Sequence, residues 1–154
     1  MKRKIFFPVI IILVVLVLFA VCLSFKHNEK IYLSDKYYNN GSFIDIDSDQ
    51  LSKLSNDKYV LFTYNNYCSL AIPCDEIFKE FMEKYNIDFL TIPFEEIKKT
   101  DLYKEVKYGP SVIVVNKNKI VSYLDANEDD DINKYQDVYE FEKWLDKFIY
   151  FNKL

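Results

Sequence analysis

Tyr59-Val60-Leu61-Phe62-Thr63-Tyr64-Asn65-Asn66-Tyr67-Cys68 runs directly into Ser69-Leu70-Ala71-Ile72-Pro73-Cys74. The first part is apolar and rich in aromatic residues, and predicts a buried strand over residues 58–65. The second part opens a helix over residues 73–85. Pro73 suits a first helical turn, and Asp75 and Glu76 complement the positive end of the helix dipole. Ile77, Phe78, Phe81, Met82 and Tyr85 recur at helical spacing. Two cysteines therefore flank a strand-to-helix junction. A helix N-terminus lowers a thiol's pKa and favours the reactive thiolate, so the junction points to redox chemistry at Cys68 and Cys74.

Working outward, Phe43-Ile44-Asp45-Ile46 alternates as a short strand, and residues 49–55 form a short helix with Leu51 and Leu54 on one side. Residues 87–94 read as a strand. Residues 95–107 read as a helix with Ile97, Leu102 and Val106 facing inward. Residues 111–115 are a dense apolar strand, and Asn116-Lys117-Asn118-Lys119 supplies turn residues, so residues 120–124 return as a hairpin. Residues 125–137 are acidic and irregular. Residues 138–151 read as a helix with Phe141, Trp144, Leu145 and Phe148 at helical spacing. Alternating strands and helices imply parallel pairing through right-handed crossovers, with the late hairpin adding an antiparallel edge. The expected class is α/β, a three-layer fold with a mixed sheet.

The chain begins differently. Ile5 to Phe25 is a 21-residue apolar run broken only by Pro8 and Ser24, and Lys2, Arg3 and Lys4 precede it. Roughly 20 apolar residues cross a bilayer as a helix. The basic flank stays in the cytoplasm by the positive-inside rule, so the remainder is exported. A cleaved signal peptide has a shorter apolar region and a small-residue cleavage site. Phe19-Ala20-Val21-Cys22 matches a lipoprotein box only loosely, because Val21 is large. An uncleaved single-pass anchor is the preferred reading, with cleavage and lipidation as its rivals. The expected organisation is a basic flank and anchor over residues 1–25, a polar tether over 26–42 and a folded domain over 43–151.

Removing the first 25 residues removes three basic groups and no acidic one, leaving 17 basic against 24 acidic residues, a formal −7. That is a poor surface for nucleic acid. Two of the three cysteines then lie in an exported setting, where an even pair reads first as a disulfide. The single histidine, His27, lies beside the anchor, which removes His-assisted nucleophiles and zinc sites from consideration. Asp125 and Glu128 to Asp131 lack calcium-loop spacing and its glycine, so they read as a solvated acidic loop. No cofactor or metal is expected.

This order of elements, with a cysteine motif after the second strand, resembles the thioredoxin-like superfamily over residues 43–151. Tyr108-Gly109-Pro110-Ser111-Val112 lies where those proteins carry a cis-proline beside the active site. The resemblance implies that Pro110 adopts the cis form, that Cys68 is the attacking thiol and Cys74 the resolving one, and that the Gly109–Pro110 loop pairs with a substrate strand. Gly109 lets a second backbone approach closely, and Tyr67 flanks the site. On local physics alone, Cys74 gains more from the helix dipole, so the order of attack stays open. A looser resemblance is to bacteriocin-transport accessory proteins.

The sequence also departs from that family. Five residues separate the cysteines instead of two, Phe62 stands where thioredoxins often bury a proton-transferring Asp, and Tyr67 replaces the usual tryptophan. Closing so short a loop by a disulfide contributes about 2.5 kcal/mol in the chain-entropy treatment. Two functions follow. One is thiol–disulfide exchange on a protein thiol or disulfide substrate by a bacterial, membrane-anchored, extracytoplasmic protein. The other is a binding or accessory module for an extracytoplasmic partner chain, in which Cys68 and Cys74 form a permanent staple.

Overall fold

The computed structural model describes residues 29–65 and 73–153. The apolar run from Ile5 to Phe25, His27, Tyr67 and Cys68 lie outside the described residues. The sheet has five strands: β1 (Phe43–Asp45), β2 (Lys58–Tyr64), β3 (Phe89–Pro93), β4 (Ser111–Asn116) and β5 (Lys119–Asp125). Their spatial order is β1-β3-β2-β4-β5. The first three pair in parallel, with Leu61 opposite Leu90 and Ile44 opposite Leu90 from the other side. β4 runs antiparallel to β2, with Leu61 opposite Ile113, and β5 antiparallel to β4. The mixed α/β sheet expected from the order of elements is the one found.

The β4–β5 hairpin turns on Lys117 (φ 50°) and Asn118 (φ 64°). Two successive positive-φ residues give a turn whose twist matches that of the flanking strands.

Three longer or capped helices flank the sheet: α1 (Ser48–Ser52), α2 (Cys74–Tyr85) and, later, the helix over Val138–Leu145. Short turns lie between them: α3 (Phe94–Ile97) and α4 (Asp129–Ile132), so the last helix is α5 (Val138–Leu145). α1 starts with a capping box, in which the Asp47 carboxylate accepts from the Gln50 amide while the Gln50 side chain accepts from the Asp47 amide. Asp137 caps α5 by accepting from the Tyr139 and Glu140 amides. Asn86, in the left-handed region at φ 52°, closes α2 by donating its N–H to Met82 O.

One face of the sheet packs on α2 and α5 through an aromatic cluster. Phe78 lies 4.7 Å from Phe141 and 5.0 Å from Phe62, ring centre to centre, and Phe81 lies 5.3 Å from Phe141. Side chains alternate along a strand, so Phe62 points to this layer and Tyr59, Leu61 and Thr63 point to the opposite one. There Tyr59 shares a cavity with Leu51 of α1 and Leu102. The result is the three-layer arrangement.

Four expectations change in detail. First, residues 95–107 are not one helix: α3 ends at Ile97, and a separate 3-10 turn spans Asp101–Lys104. Ile97, Leu102 and Val106 are all buried. In a continuous helix at about 100° per residue, Leu102 would sit roughly 140° and Val106 roughly 180° from Ile97. The chain breaks at Thr100, which is extended, so that all three turn inward.

Second, the segment expected as a tether is packed from residue 30 onward. Leu33 and Tyr37 are buried, Ile31 bridges to Ile149, and Tyr38 bridges to Ile87. The groups Ile31-Tyr32-Leu33 and Tyr37-Tyr38 are too short to show a period in the sequence. Third, α5 stops at Leu145, because the chain after it leaves the helix to accept from the Ile31 amide at Phe148 O and to donate from the Tyr150 amide to Ile31 O. Fourth, residues 125–137 contain α4 and a 3-10 turn over Asn133–Tyr135, and Tyr135 is fully buried.

Candidate functional site

The carboxyl ends of β1, β2 and β3 open onto a groove of about 430 Å³. Its lining includes Phe62, Asn65, Pro73, Cys74 and Pro110. α2 delivers Cys74 as its first residue, with Pro73 at the N-cap instead of in the first turn. Pro73 carries no N–H, so it leaves no extra orphan donor there, and its carbonyl accepts from the Glu76 amide at 3.0 Å. Cys74 thus sits where the positive end of the helix dipole acts. It is 4% exposed, turned toward the core side of the groove.

The opposite wall is the loop before β4. The Gly109–Pro110 peptide bond is cis, as the resemblance implied. The Ser111 hydroxyl donates to Tyr108 O at 2.7 Å across the turn. The Asn65 side-chain amide, at the end of β2, donates to Gly109 O and ties the two walls together. Gly109 has a packing reason of its own: a Cβ there would stand 3.0 Å from the ring atoms of Phe94. Tyr108 stands beside it, 59% exposed.

Phe62 forms the floor. It is 5% exposed and makes edge contact with Phe78, while Phe43 lies 5.8 Å away. The groove floor is therefore aromatic where the resemblance would place a carboxylate. Asp75 lines the groove and is paired with Lys79 one turn along α2, at 2.7 Å.

Tyr135 was missed from the sequence. Its hydroxyl donates to Leu124 O at 2.8 Å, with Pro110 O at 3.3 Å. Burial raises its phenol well above the ordinary tyrosine value, and the charge of Cys74 adds in the same direction. The one available signal was composition: Tyr135 is the only aromatic residue between Leu124 and Tyr139, within an acidic stretch.

Cys74, Gly109 and Pro110 thus come together at one groove, while Tyr67 and Cys68 belong to the stretch outside the described residues. The acidic residues after β5 hold the chain together. Asp125 accepts from the Asn127 amide, and Asp131 accepts from the Asp125 amide and pairs with Lys134. Among the described residues no cluster of His, Cys, Asp and Glu is arranged to hold a metal ion.

The sheet order, the parallel-then-antiparallel pairing and the cis-proline facing a helix-start cysteine define a thioredoxin-like fold. Solved thioredoxins resemble it. The thioredoxin of Schistosoma mansoni is 22% identical, and the match covers 72% of this chain and 99% of that one at a TM-score of 0.50. Thioredoxin f from spinach chloroplast is 16% identical over 68% of this chain and 93% of its own, at a TM-score of 0.47. The thioredoxin of Trypanosoma brucei brucei is 12% identical over 73% and 99%, at 0.46. No protein-family model and no curated protein sequence matches the chain. The chain is a thioredoxin-like protein by fold.

Proposed function

We propose that this is a membrane-anchored, extracytoplasmic protein that performs thiol–disulfide exchange through Cys68 and Cys74. The observation that carries the reading is the position of Cys74, at the first residue of α2 and on the same groove as the cis Pro110. The apolar run after Lys2, Arg3 and Lys4 supports the anchor. Among the described residues no helix is long and apolar enough to cross a membrane.

In the reducing direction, the Cys68 thiolate attacks one sulfur of a substrate disulfide. A Cys68–substrate S–S bond forms, and the other substrate sulfur leaves as a thiolate. The Cys74 thiolate then attacks Cys68 of the mixed disulfide. The intramolecular S–S bond forms, the second substrate thiolate leaves, and two electrons have passed to the substrate. The same steps reversed oxidise a dithiol. Burial of Cys74 suits the resolving role, since it is shielded from the bulk and needs to reach only its partner. Gly109 and Pro110 would seat the substrate strand, with Tyr67 at its flank.

Cys74→Ser is expected to capture a protein substrate as a mixed disulfide through Cys68 that releases with dithiothreitol. Capture only by Cys68→Ser would exchange the roles. The Cys68–Cys74 pair should have a reduction potential above about −300 mV, the range of labile rather than structural exported disulfides. Absence of capture by both variants, with a potential below that value, would sink the exchange reading.

Phe62 supports a second reading. It makes the groove floor aromatic at the position where the resemblance places a proton-taking carboxylate. In this reading the cysteines form a fixed clip, and the Pro110 loop with Tyr67 binds an extracytoplasmic partner chain.

A further inference from the structure

We propose that the domain rests with the pole opposite the cysteine groove against the bilayer, presenting lysines to anionic lipid headgroups and holding the groove outward. This orientation rests on the anchored reading of residues 5–25.

Chain length comes first. Because residues 30–42 are packed, no long tether separates the domain from the apolar run. Four residue steps lead from Phe25 to Glu29, at most about 14 Å of extended chain. The described chain then enters the domain at one pole. Ile31 pairs with Ile149 beyond the end of α5, and the Ser34 amide donates to Lys58 O at the first residue of β2. The groove lies at the other end of that strand, beside Tyr64 and Asn65. Six steps of β2 separate the two poles by about 20 Å. α5 gives the same polarity independently: Tyr135, just before it, reaches Pro110, whereas Ile149, just after it, reaches Ile31.

Charge follows this axis. Four of the 20 basic residues precede Glu29 and no acidic one does, so residues 29–154 carry 16 basic and 24 acidic groups, a net −8. At the near pole the hairpin tip places Lys117 and Lys119, both exposed, beside Asp57, and Lys147 follows α5. Three acidic groups of this pole are paired, Asp57 with Lys36, Asp146 with Lys30 and Asp35 with Lys153, while Glu29 is exposed with no ion pair among the described residues. The groove pole is acidic even with Asp75 paired to Lys79 and Asp131 to Lys134: Asp45 lines the groove, Asp125 lies opposite Ser111, and Asp129 and Asp130 lie beyond it. A negatively charged bilayer attracts the first pole and repels the second. The near pole also exposes Tyr150, stacked on the half-buried Tyr32 with ring centres 4.3 Å apart. Tyrosine favours the headgroup level, where one end of the ring is wet.

The orientation leaves the groove free for a chain arriving from the aqueous side. The test uses the full chain in vesicles of phosphatidylglycerol and phosphatidylcholine whose acyl chains are brominated near the headgroups. Tyr150 and Tyr108 mark the two poles, and each is replaced by Trp, with the wild-type emission of Trp144 as the baseline. The emission added by Tyr150→Trp should fall by roughly half in brominated vesicles, while that added by Tyr108→Trp stays unchanged, given the interfacial preference of aromatic rings. Reversing Lys117, Lys119 and Lys147 to Glu should weaken the quenching at position 150. Quenching at position 108, or equal quenching at both, overturns the orientation alone. Wild-type protein that does not sediment with the vesicles overturns the anchor and the orientation with it.

Discussion

Thr63 is fully buried in the middle strand of the sheet, and among the described residues its hydroxyl has no hydrogen-bond partner. It lies opposite Ile92 of β3 and Ser111 of β4, so its backbone is held from both sides while its side chain points away from the Phe62 layer. A buried hydroxyl left without a partner costs about 1–3 kcal/mol. Thr63→Val replaces that oxygen by a methyl of nearly the same volume and keeps the β-branched shape that suits a central strand. The expected gain is therefore about 1–2 kcal/mol, allowing for imperfect repacking. For a domain of this size, each kcal/mol moves the melting temperature by roughly 3–6 °C. Urea unfolding of the full chain in detergent micelles, followed by the fluorescence of Trp144, should show a higher midpoint with an unchanged slope. Thr63→Ser is the control. It keeps the orphan hydroxyl and deletes a packed methyl, so it should destabilise by about 1 kcal/mol. If valine leaves the midpoint unchanged or lowers it, the hydroxyl has a partner in solution and the reasoning fails.

Two further outcomes test other parts of the fold. Gly41 has φ 68°, and a Cβ there would fall on the Met82 carbonyl oxygen. Gly41→Ala should therefore cost at least about 2 kcal/mol in the same urea assay, from left-handed strain plus overlap, whereas a freely moving tether would register nothing. Glu142 accepts from Lys84 and from the Tyr85 hydroxyl, each at 2.7 Å, and the Lys84 bond is the main cause holding its carboxyl below the ordinary 4.5. A depressed carboxyl contributes stability above its unfolded pKa and loses it as pH falls through the folded one. Glu142→Gln should lower the urea midpoint near pH 7 by a small amount, as expected of a half-exposed pair, and the two proteins should converge as pH falls through the depressed carboxyl's folded value. A constant difference across that range would contradict the linkage.

The sheet was legible in the sequence because its strands are short apolar runs bounded by turn residues, as at Ser111–Asn116 and the Lys117–Asn118 turn. The helix start at Cys74 was legible to within a residue, since proline and two acids mark it in the right order. The failures share one cause. Ile97, Leu102 and Val106 fit no single period, and their burial is imposed by the sheet beneath them. Tyr135 is isolated among polar residues, and Ile31-Tyr32-Leu33 and Tyr37-Tyr38 are groups too short to show a period; all three of Leu33, Tyr37 and Tyr135 are buried by elements distant in sequence. Tertiary contact overrode periodicity in every case.

The same distinction governs the site. A proline in a turn and a cysteine opening a helix are local features, and both were readable. What converges on them was not. Asn65 reaches Gly109 across 44 positions, and Tyr135 reaches Pro110 across 25. These two side chains fix the Pro110 loop from opposite directions, one through the carbonyl before the proline and one toward the carbonyl of the proline itself. The loop is therefore held by contacts that would survive loss of either cysteine. A protein whose cysteines serve only as a clip would keep this partner-facing loop intact when reduced, and an exchange protein would lose its chemistry while keeping its binding. Binding of a partner chain to a Cys68→Ser, Cys74→Ser double variant consequently cannot separate the two proposed functions, whereas the reduction potential and covalent capture can.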